Sequence, residues 1–471
     1  MSIFEKAKSG IKWTTSSTLI RAFAQLALLA IAARFLTGDE LGSYALLMLF
    51  VGFAQLFMDL GMGNAVIHKE EVKQNDVNQL YVINFFVALL VATLMIAISP
   101  LAALFFEAER LQQLIICLSP AFLLSALFRM HLVVLQKQLM FNIISKVEIV
   151  GQLAGLIVAV YCLNAGYGVL SLVYGYLANL TVQALLFIVL SPAKIRPALP
   201  ASYRSLSGYL SFGAYQTGDG VVNYINSHID VVLVGKLLGT EVLGGYNLVR
   251  QFCMKPALVI NPILTRVAFP VMSKLQKSPE LPVIYTKLLT ALAFVNFPIY
   301  CFLAFFSEEV VSFLFGEKWL HLSQLLTLLA VWCLVRSCMN PLGSLFMAIG
   351  KVKQLFKWNL GLLCVFPLAI STGAQFGGEE VAISLVFVQV VIFIAHLRIL
   401  LSNHLGLNWW QLLKQLSLPL LISAVSLLLI WGIDQVFFDQ NEHVLVLGGM
   451  YLVPVTLLLS FIVIKYRADF R

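Results

Sequence analysis

Seven basic residues, Arg21, Arg129, Arg250, Lys255, Arg266, Lys287 and Arg336, sit inside stretches that are otherwise apolar. Four acids share those stretches: Asp59, Glu148, Asp219 and Asp230. A charge in hydrocarbon is costly, so such groups face a protein interior or a wet cavity unless they lie near enough to a helix end to reach the surface. Cations outnumber acids, and unpaired like charges repel at short range. The surplus indicates chemistry directed at an anionic ligand.

The spacing aims these groups. Thr14, Thr18, Arg21 and Gln25 follow i, i+4, i+7, i+11, one face of a helix. Gln216, Asp219, Asn223, Asn226 and Asp230 follow i, i+3, i+7, i+10, i+14, again one face. Such stripes fit the lining of a water-filled cavity; the plainer alternative is polar contact between packed helices. Arg250, Lys255 and Arg266 share a segment with Pro256, Pro262 and Pro270. Those prolines remove backbone hydrogen bonds and make either a fixed kink or a hinge. Arg129 and Glu148 are expected to pair at similar depth. Asp59, Glu148 and Asp219 are the candidates for ion or proton coupling. His228, near Asp230, is the one suggestive histidine, with a plain structural role beside it.

The elements that must position these residues follow from composition. Of 471 residues, 60% are hydrophobic and 11% charged, against roughly a quarter charged in soluble domains. The expectation is an all-α integral membrane protein with about fourteen spans. They are read at 11–36, 41–66, 77–104, 111–135, 141–163, 167–191, 205–235, 242–272, 282–306, 321–349, 354–375, 379–402, 412–433 and 444–464. The first segment, preceded by Lys6, Lys8 and Lys12, is too long for a signal-peptide core. With that count, twenty basic loop residues fall on the side of both termini. Only Arg34, Arg110, Lys236 and Lys318 fall opposite. The positive-inside rule then places both termini in the cytoplasm. Acids such as Asp39, Glu40 and Glu107 lean to the other side.

The chain divides as 1–191, a six-span lobe; 192–204, a Pro-rich basic cytoplasmic linker; 205–402, a second six-span lobe; and 403–471, two further spans and a tail. An internal repeat supports the division: Leu36-Thr-Gly-Asp-Glu-Leu-Gly-Ser-Tyr-Ala-Leu46 returns 202 residues later as Leu238-Gly-Thr-Glu-Val-Leu-Gly-Gly-Tyr-Asn-Leu248. Six spans separate the copies, so both halves enter the membrane in the same direction, an arrangement used by transporters.

The net charge of +8 is not arranged as a nucleic-acid stripe. The seven cysteines lie in apolar runs with no metal-ligand spacing. No phosphate loop, zinc-protease motif or nucleophile elbow occurs. No catalytic residue, metal or cofactor is expected.

The segments Phe212-Gly-Ala-Tyr, Asn223-Tyr-Ile-Asn226, Leu243-Gly-Gly-Tyr-Asn247 and Asn261-Pro-Ile-Leu-Thr-Arg-Val-Ala-Phe-Pro270 carry a family resemblance. So do Phe315-Gly-Glu-Lys-Trp319 and Leu334-Val-Arg-Ser-Cys-Met-Asn-Pro-Leu-Gly-Ser-Leu-Phe-Met-Ala348. The chain resembles the Wzx-type polysaccharide transporters of the multidrug/oligosaccharidyl-lipid/polysaccharide exporter superfamily, most of all the colanic-acid exporter group. The resemblance covers roughly residues 1–400. It implies two pseudo-symmetric lobes around a central cationic cavity in the bacterial inner membrane. It also implies flipping of undecaprenyl-pyrophosphate-linked oligosaccharide repeat units to the periplasmic leaflet.

On that basis Arg21, Arg250, Lys255 and Arg266 would meet the pyrophosphate, and Thr14, Thr18, Gln25, Gln216, Asn223 and Asn226 would line the cavity for sugar. A polysaccharide polymerase and a chain-length regulator are the implied partners. Three other functions compete: an ion-coupled multidrug antiporter of the same fold, a membrane-embedded polymerase or ligase, and a flippase for the peptidoglycan precursor. An acidic surplus would favour the first, and a large periplasmic loop the second; neither is present in the sequence.

Overall fold

The computed structural model describes residues 3–59, 63, 66, 67, 69, 72–199, 203–339, 341–401, 405–437 and 451. Every regular element among the described residues is helical. The first six spans are α1 (Ile3–Phe35), α2 (Gly38–Asp59), α3 (Gln74–Phe106), α4 (Glu109–Leu118 continuing as Pro120–Lys137), α5 (Phe141–Asn164) and α6 (Leu170–Leu190). A run Tyr203–Lys274 follows, and Gly239 at φ 81° and ψ 175° breaks it into α7 (203–238) and α8 (240–274). Beyond it lie α9 (Leu281–Phe305), α10 (Ser307–Phe315), a 3-10 helix (Glu317–Leu322), α11 (Ser323–Met339) and α12 (Pro341–Ala348). The series ends with α13 (Val352–Gly373), α14 (Gly378–Ala395), a π turn (His396–Leu401) and α15 (Trp409–Phe437). The span expected at 444–464 lies outside the described residues, apart from Tyr451.

Eleven segments among the described residues are long and apolar enough to cross a membrane. The α7–α8 run is not one of them, because the charges from Asp230 and Lys236 to Arg250 and Lys255 lower its hydropathy. The segment between the spans expected at 282–306 and 321–349 is helical. Glu308 and Glu309 stand in the first turn of α10, where an N-terminal dipole favours acids. Val310, Val311 and Phe315 bury one face of the same short helix.

The chain forms two compact units, 1–247 and 248–471. In the first, small residues let backbones touch. A side chain on Gly155 would stand 2.7 Å from the Gly175 carbonyl oxygen, and one on Gly151 would stand 2.6 Å from Gln183. Helices α5 and α6 therefore pack at the closest approach that small residues permit in a membrane. The phenyl rings of Phe128 and Phe187 stack 5.4 Å apart between α4 and α6.

The two copies of the internal repeat meet each other within this unit. A Cβ on Gly42 would run into the Thr240 carbonyl oxygen, and one on Gly244 would run into that of Gly38. Under the 202-residue offset, Gly42 corresponds to Gly244 and Gly38 to Thr240, so the two contacts are the same contact seen from each copy. Thr37 and Glu40 form a reciprocal N-terminal cap on α2: Glu40 N–H donates to Thr37 Oγ1 at 3.3 Å, and Thr37 N–H donates to Glu40 Oε2 at 3.1 Å. Thr240 donates its hydroxyl to Asp39 across the contact.

In the second unit α9 is buried along most of its length. Tyr285, Leu289 and Phe297 of α9 pack with Phe346 of α12 and Leu412 and Leu416 of α15.

Gly42→Leu is expected to force α2 and α8 apart and lower the thermal midpoint of the purified chain by several degrees. Gly218→Ala, at a position with open space around it, should leave the midpoint unchanged or raise it slightly, since alanine favours helix by about 1 kcal/mol.

Candidate functional site

Arg21, the central member of the α1 stripe, makes an ion pair with Glu148 of α5, Nη1 to Oε2 at 3.1 Å. The pairing expected between Arg129 and Glu148 is not formed; Glu148 turns to α1 instead. The reason lies in helix packing. Gly10 removes any side chain where Phe141 crosses, the place a Cβ would fill at 2.8 Å. Lys146 Nζ sits 5.4 Å from the centre of the Trp13 ring. Phe141, Lys146 and Glu148 thus follow α1 upward from Gly10 through Trp13 to Arg21.

The Arg21–Glu148 pair is neither sealed nor free in water. The two side chains retain 34% and 22% of their exposure, so the net worth of the pair falls toward that of a surface pair, below about 1 kcal/mol. Its main effect is that neither charge stands alone in an apolar span. Arg21 Nε is buried with no hydrogen-bond partner among the described residues. The guanidinium therefore has donor capacity beyond the bond it gives Glu148.

The rest of the α1 stripe divides. Thr18 donates its hydroxyl to its own helix, at Thr14 O, 2.8 Å away. Gln25 is exposed and Thr14 half-buried. On α7, Asn223 is exposed and Asn226 half-buried. Asp230 is buried and accepts a 3.0 Å hydrogen bond from the Tyr246 hydroxyl, so it ties α7 to the start of α8. His228 stacks on Tyr224 at 4.1 Å and lies 3.0 Å from the Tyr224 carbonyl, the plain structural role. Tyr224 in turn donates to Leu49 O at 2.7 Å, over the gap left by Gly52. The side chains of Asp59, Gln216, Asp219 and Arg266 lie outside the described set.

In the second unit Arg250 is buried and Lys255 half-buried on α8. Polar groups beside two of the prolines of α8 find partners on α9. Ala257 N–H, next to Pro256, donates to the Tyr300 hydroxyl at 3.3 Å. Asn296 Nδ2 donates to Asn261 Oδ1 at 2.9 Å, beside Pro262. These bonds tie the proline-bearing stretch of α8 to α9. On α11, Arg336 lies 4.7 Å above the Trp332 ring, a cation–π contact that eases a charge within the span.

One set of residues was missed by sequence reasoning. Arg110 pairs with Glu40 at 3.4 Å and Lys236 pairs with Glu107 at 2.9 Å. All four stand at the end of the helices that carries the repeat contact. Arg110 and Lys236 are two of the four basic residues that broke the charge asymmetry, and Glu40 and Glu107 are acids assigned to the same side. That coincidence was the available signal.

A family model described as polysaccharide biosynthesis protein matches residues 31–324. The lipopolysaccharide biosynthesis protein WzxC of Escherichia coli K12 is 32% identical, over 93% of this chain and 90% of that one. The chain belongs to this polysaccharide biosynthesis family. The teichuronic acid biosynthesis protein TuaB of Bacillus subtilis 168 is likewise 32% identical, over 92% of this chain and 90% of that one. Among solved structures, the lipid II flippase MurJ in an inward closed conformation matches with a TM-score of 0.76 at 16% identity, covering 98% of this chain and 99% of that chain. That likeness establishes the fold. The Wzx-type resemblance read from the sequence stands, and the eleven described helices able to span a bilayer make the chain a multi-pass membrane protein of this family.

A double-mutant cycle checks the ion-pair assignment. Glu148→Gln, which leaves Arg21 unpaired, should lower the thermal midpoint by a few degrees, and adding Arg21→Gln should recover most of that loss. Arg129→Gln should add to either change independently. Tyr300→Phe should cost about 1 kcal/mol through the lost bond to Ala257.

Proposed function

We propose that this protein is a flippase that carries undecaprenyl-pyrophosphate-linked oligosaccharide repeat units from the cytoplasmic to the periplasmic leaflet of the bacterial inner membrane. The observation that carries the proposal is the half-exposed Arg21 guanidinium within a spanning helix, with a buried Nε not yet used. Family membership supports it, because relatives are named for lipopolysaccharide and teichuronic acid biosynthesis. The fold likeness to a lipid II flippase supports it as well.

The physical task is to move a diphosphate through about 30 Å of hydrocarbon, where a bare anion meets a large solvation penalty. Fixed cations lower that barrier, and the polyprenyl tail stays in lipid throughout. Arg21, Arg250, Lys255 and Arg266 are the proposed pyrophosphate contacts. Thr14, Thr18, Gln25, Gln216, Asn223 and Asn226 are the proposed sugar-facing groups. Glu148 is Arg21's resident counter-ion, so a phosphate that takes Arg21 releases the carboxylate; Glu148 is thus a proposed coupling group, with Asp59 and Asp219 as the other candidates. No covalent bond is made or broken.

The scheme assumes fourteen spans with both termini cytoplasmic, lobes at 1–191 and 205–402 joined by the 192–204 linker, and a C-terminal pair of spans within 403–471. Alternating access requires the repeat contact between α2 and α8 to close and open in turn. The product would be consumed by a polysaccharide polymerase working with a chain-length regulator.

In cells lacking the chromosomal copy, Arg21→Ala is expected to abolish surface polymer while the protein remains inserted, and Arg21→Lys to retain part of it. Polymer at the normal level in inserted Arg21→Ala cells would overturn the proposal.

A further inference from the structure

The segment after α6 does not hang free. Gln74 of α3 donates to Lys194 O at 3.4 Å, and Arg196 N–H donates to Asn78 Oδ1 at 3.0 Å. Two linker residues thus advance for every four residues of helix. That matches extended backbone, at about 3.3 Å per residue, running beside a helix that rises about 1.5 Å per residue. Ile195 packs onto the small core of Val66, Leu80, Met130 and Val133. The strap continues alongside α3 and encloses a slot of about 390 Å³, lined by Tyr81, Phe85 and Phe86 of α3, Leu127 of α4, and Pro197 and Leu199 of the strap.

The slot is almost wholly apolar in its lining, and it opens on the outer face of spanning helices, where Phe86 and Leu199 are exposed. Its end nearest the start of α3 carries exposed Lys194 and Arg196 on the strap. An apolar slot entered from lipid, with cations at the headgroup end, has the chemistry of an anionic lipid: phosphate at the basic rim, acyl chain within. The geometry points to a binding site for one acyl chain of an anionic glycerophospholipid, held through its headgroup by Lys194 and Arg196. The site is independent of the proposed transport reaction. It gives the strap between the halves a role as a clamp on leaflet lipid of the side where α3 begins.

The test is native mass spectrometry of the full chain in detergent, titrated with phosphatidylglycerol or phosphatidylcholine. Each basic residue at a membrane surface is worth about 1 kcal/mol, so with Lys194 and Arg196 together phosphatidylglycerol should bind on the order of thirtyfold more tightly. The Lys194→Ser/Arg196→Ser double variant, altered only in exposed strap side chains, should bind both lipids equally. Leu127→Trp should fill the slot and reduce binding of both. Equal binding of the two lipids by the unaltered chain would overturn the site, as would an unchanged preference in the double variant. Displacement of phosphatidylglycerol by undecaprenyl phosphate would also overturn it, by assigning the slot to a polyprenyl chain.

Discussion

A charge placed in a hydrocarbon layer must find a counter-charge, water or an aromatic face, and this requirement organises the spanning helices. Arg21 has Glu148. Arg336 has the Trp332 ring. Asp230 has the Tyr246 hydroxyl. Each solution fixes one helix against another or against its own turn, so charges that look like liabilities in the sequence become points of registration. The Arg21–Glu148 pair is partly wet, and Arg21 Nε has no hydrogen-bond partner among the described residues. A buried Arg–carboxylate pair is inert because nothing can compete for it; a half-exposed pair can exchange partners.

Helix contact in the first unit follows a second constraint. Lipid tails are as apolar as leucine, so helices associate by close packing, and glycine is the residue that permits it. Gly151, Gly155 and Gly175 serve α5 and α6, while Gly38, Gly42 and Gly244 serve the meeting of the two repeat copies. The latter contact is backbone on backbone, reinforced by Thr240 and Asp39, and flanked by the Arg110–Glu40 and Lys236–Glu107 pairs. Each flanking pair has one exposed partner, Arg110 or Glu107, and contributes little individually. A contact of this kind is specific in register without being strong, which suits the opening and closing that the proposed alternating access requires.

Much of the fold was legible because lipid imposes a simple pattern. Long apolar runs became helices within a few residues of their expected ends, as at 141–163 against Phe141–Asn164. The α7–α8 boundary fell at Gly239, between the spans expected at 205–235 and 242–272. Helix α10 was not legible, since its nine residues are too short for hydropathy and its apolar face shows only once burial is known. The site was legible in kind but not in partnership. Composition picked out Arg21 and Glu148 separately, yet depth alone suggested Arg129 as the partner. Depth along the membrane says nothing of azimuth, and the azimuth was set by Gly10 meeting Phe141. The repeat was read as symmetry between halves; that its two copies touch could not be read, because self-complementarity of a motif needs three-dimensional placement.

In the proposed function Arg21 is a phosphate receptor held in reserve by Glu148. The most direct test of that role is equilibrium binding of undecaprenyl pyrophosphate to the purified full chain, compared with Glu148→Gln and Arg21→Ala. Freeing the guanidinium in Glu148→Gln should tighten binding several-fold, and Arg21→Ala should weaken it tenfold or more, about 1.4 kcal/mol. Equal affinity in all three proteins would contradict the claim.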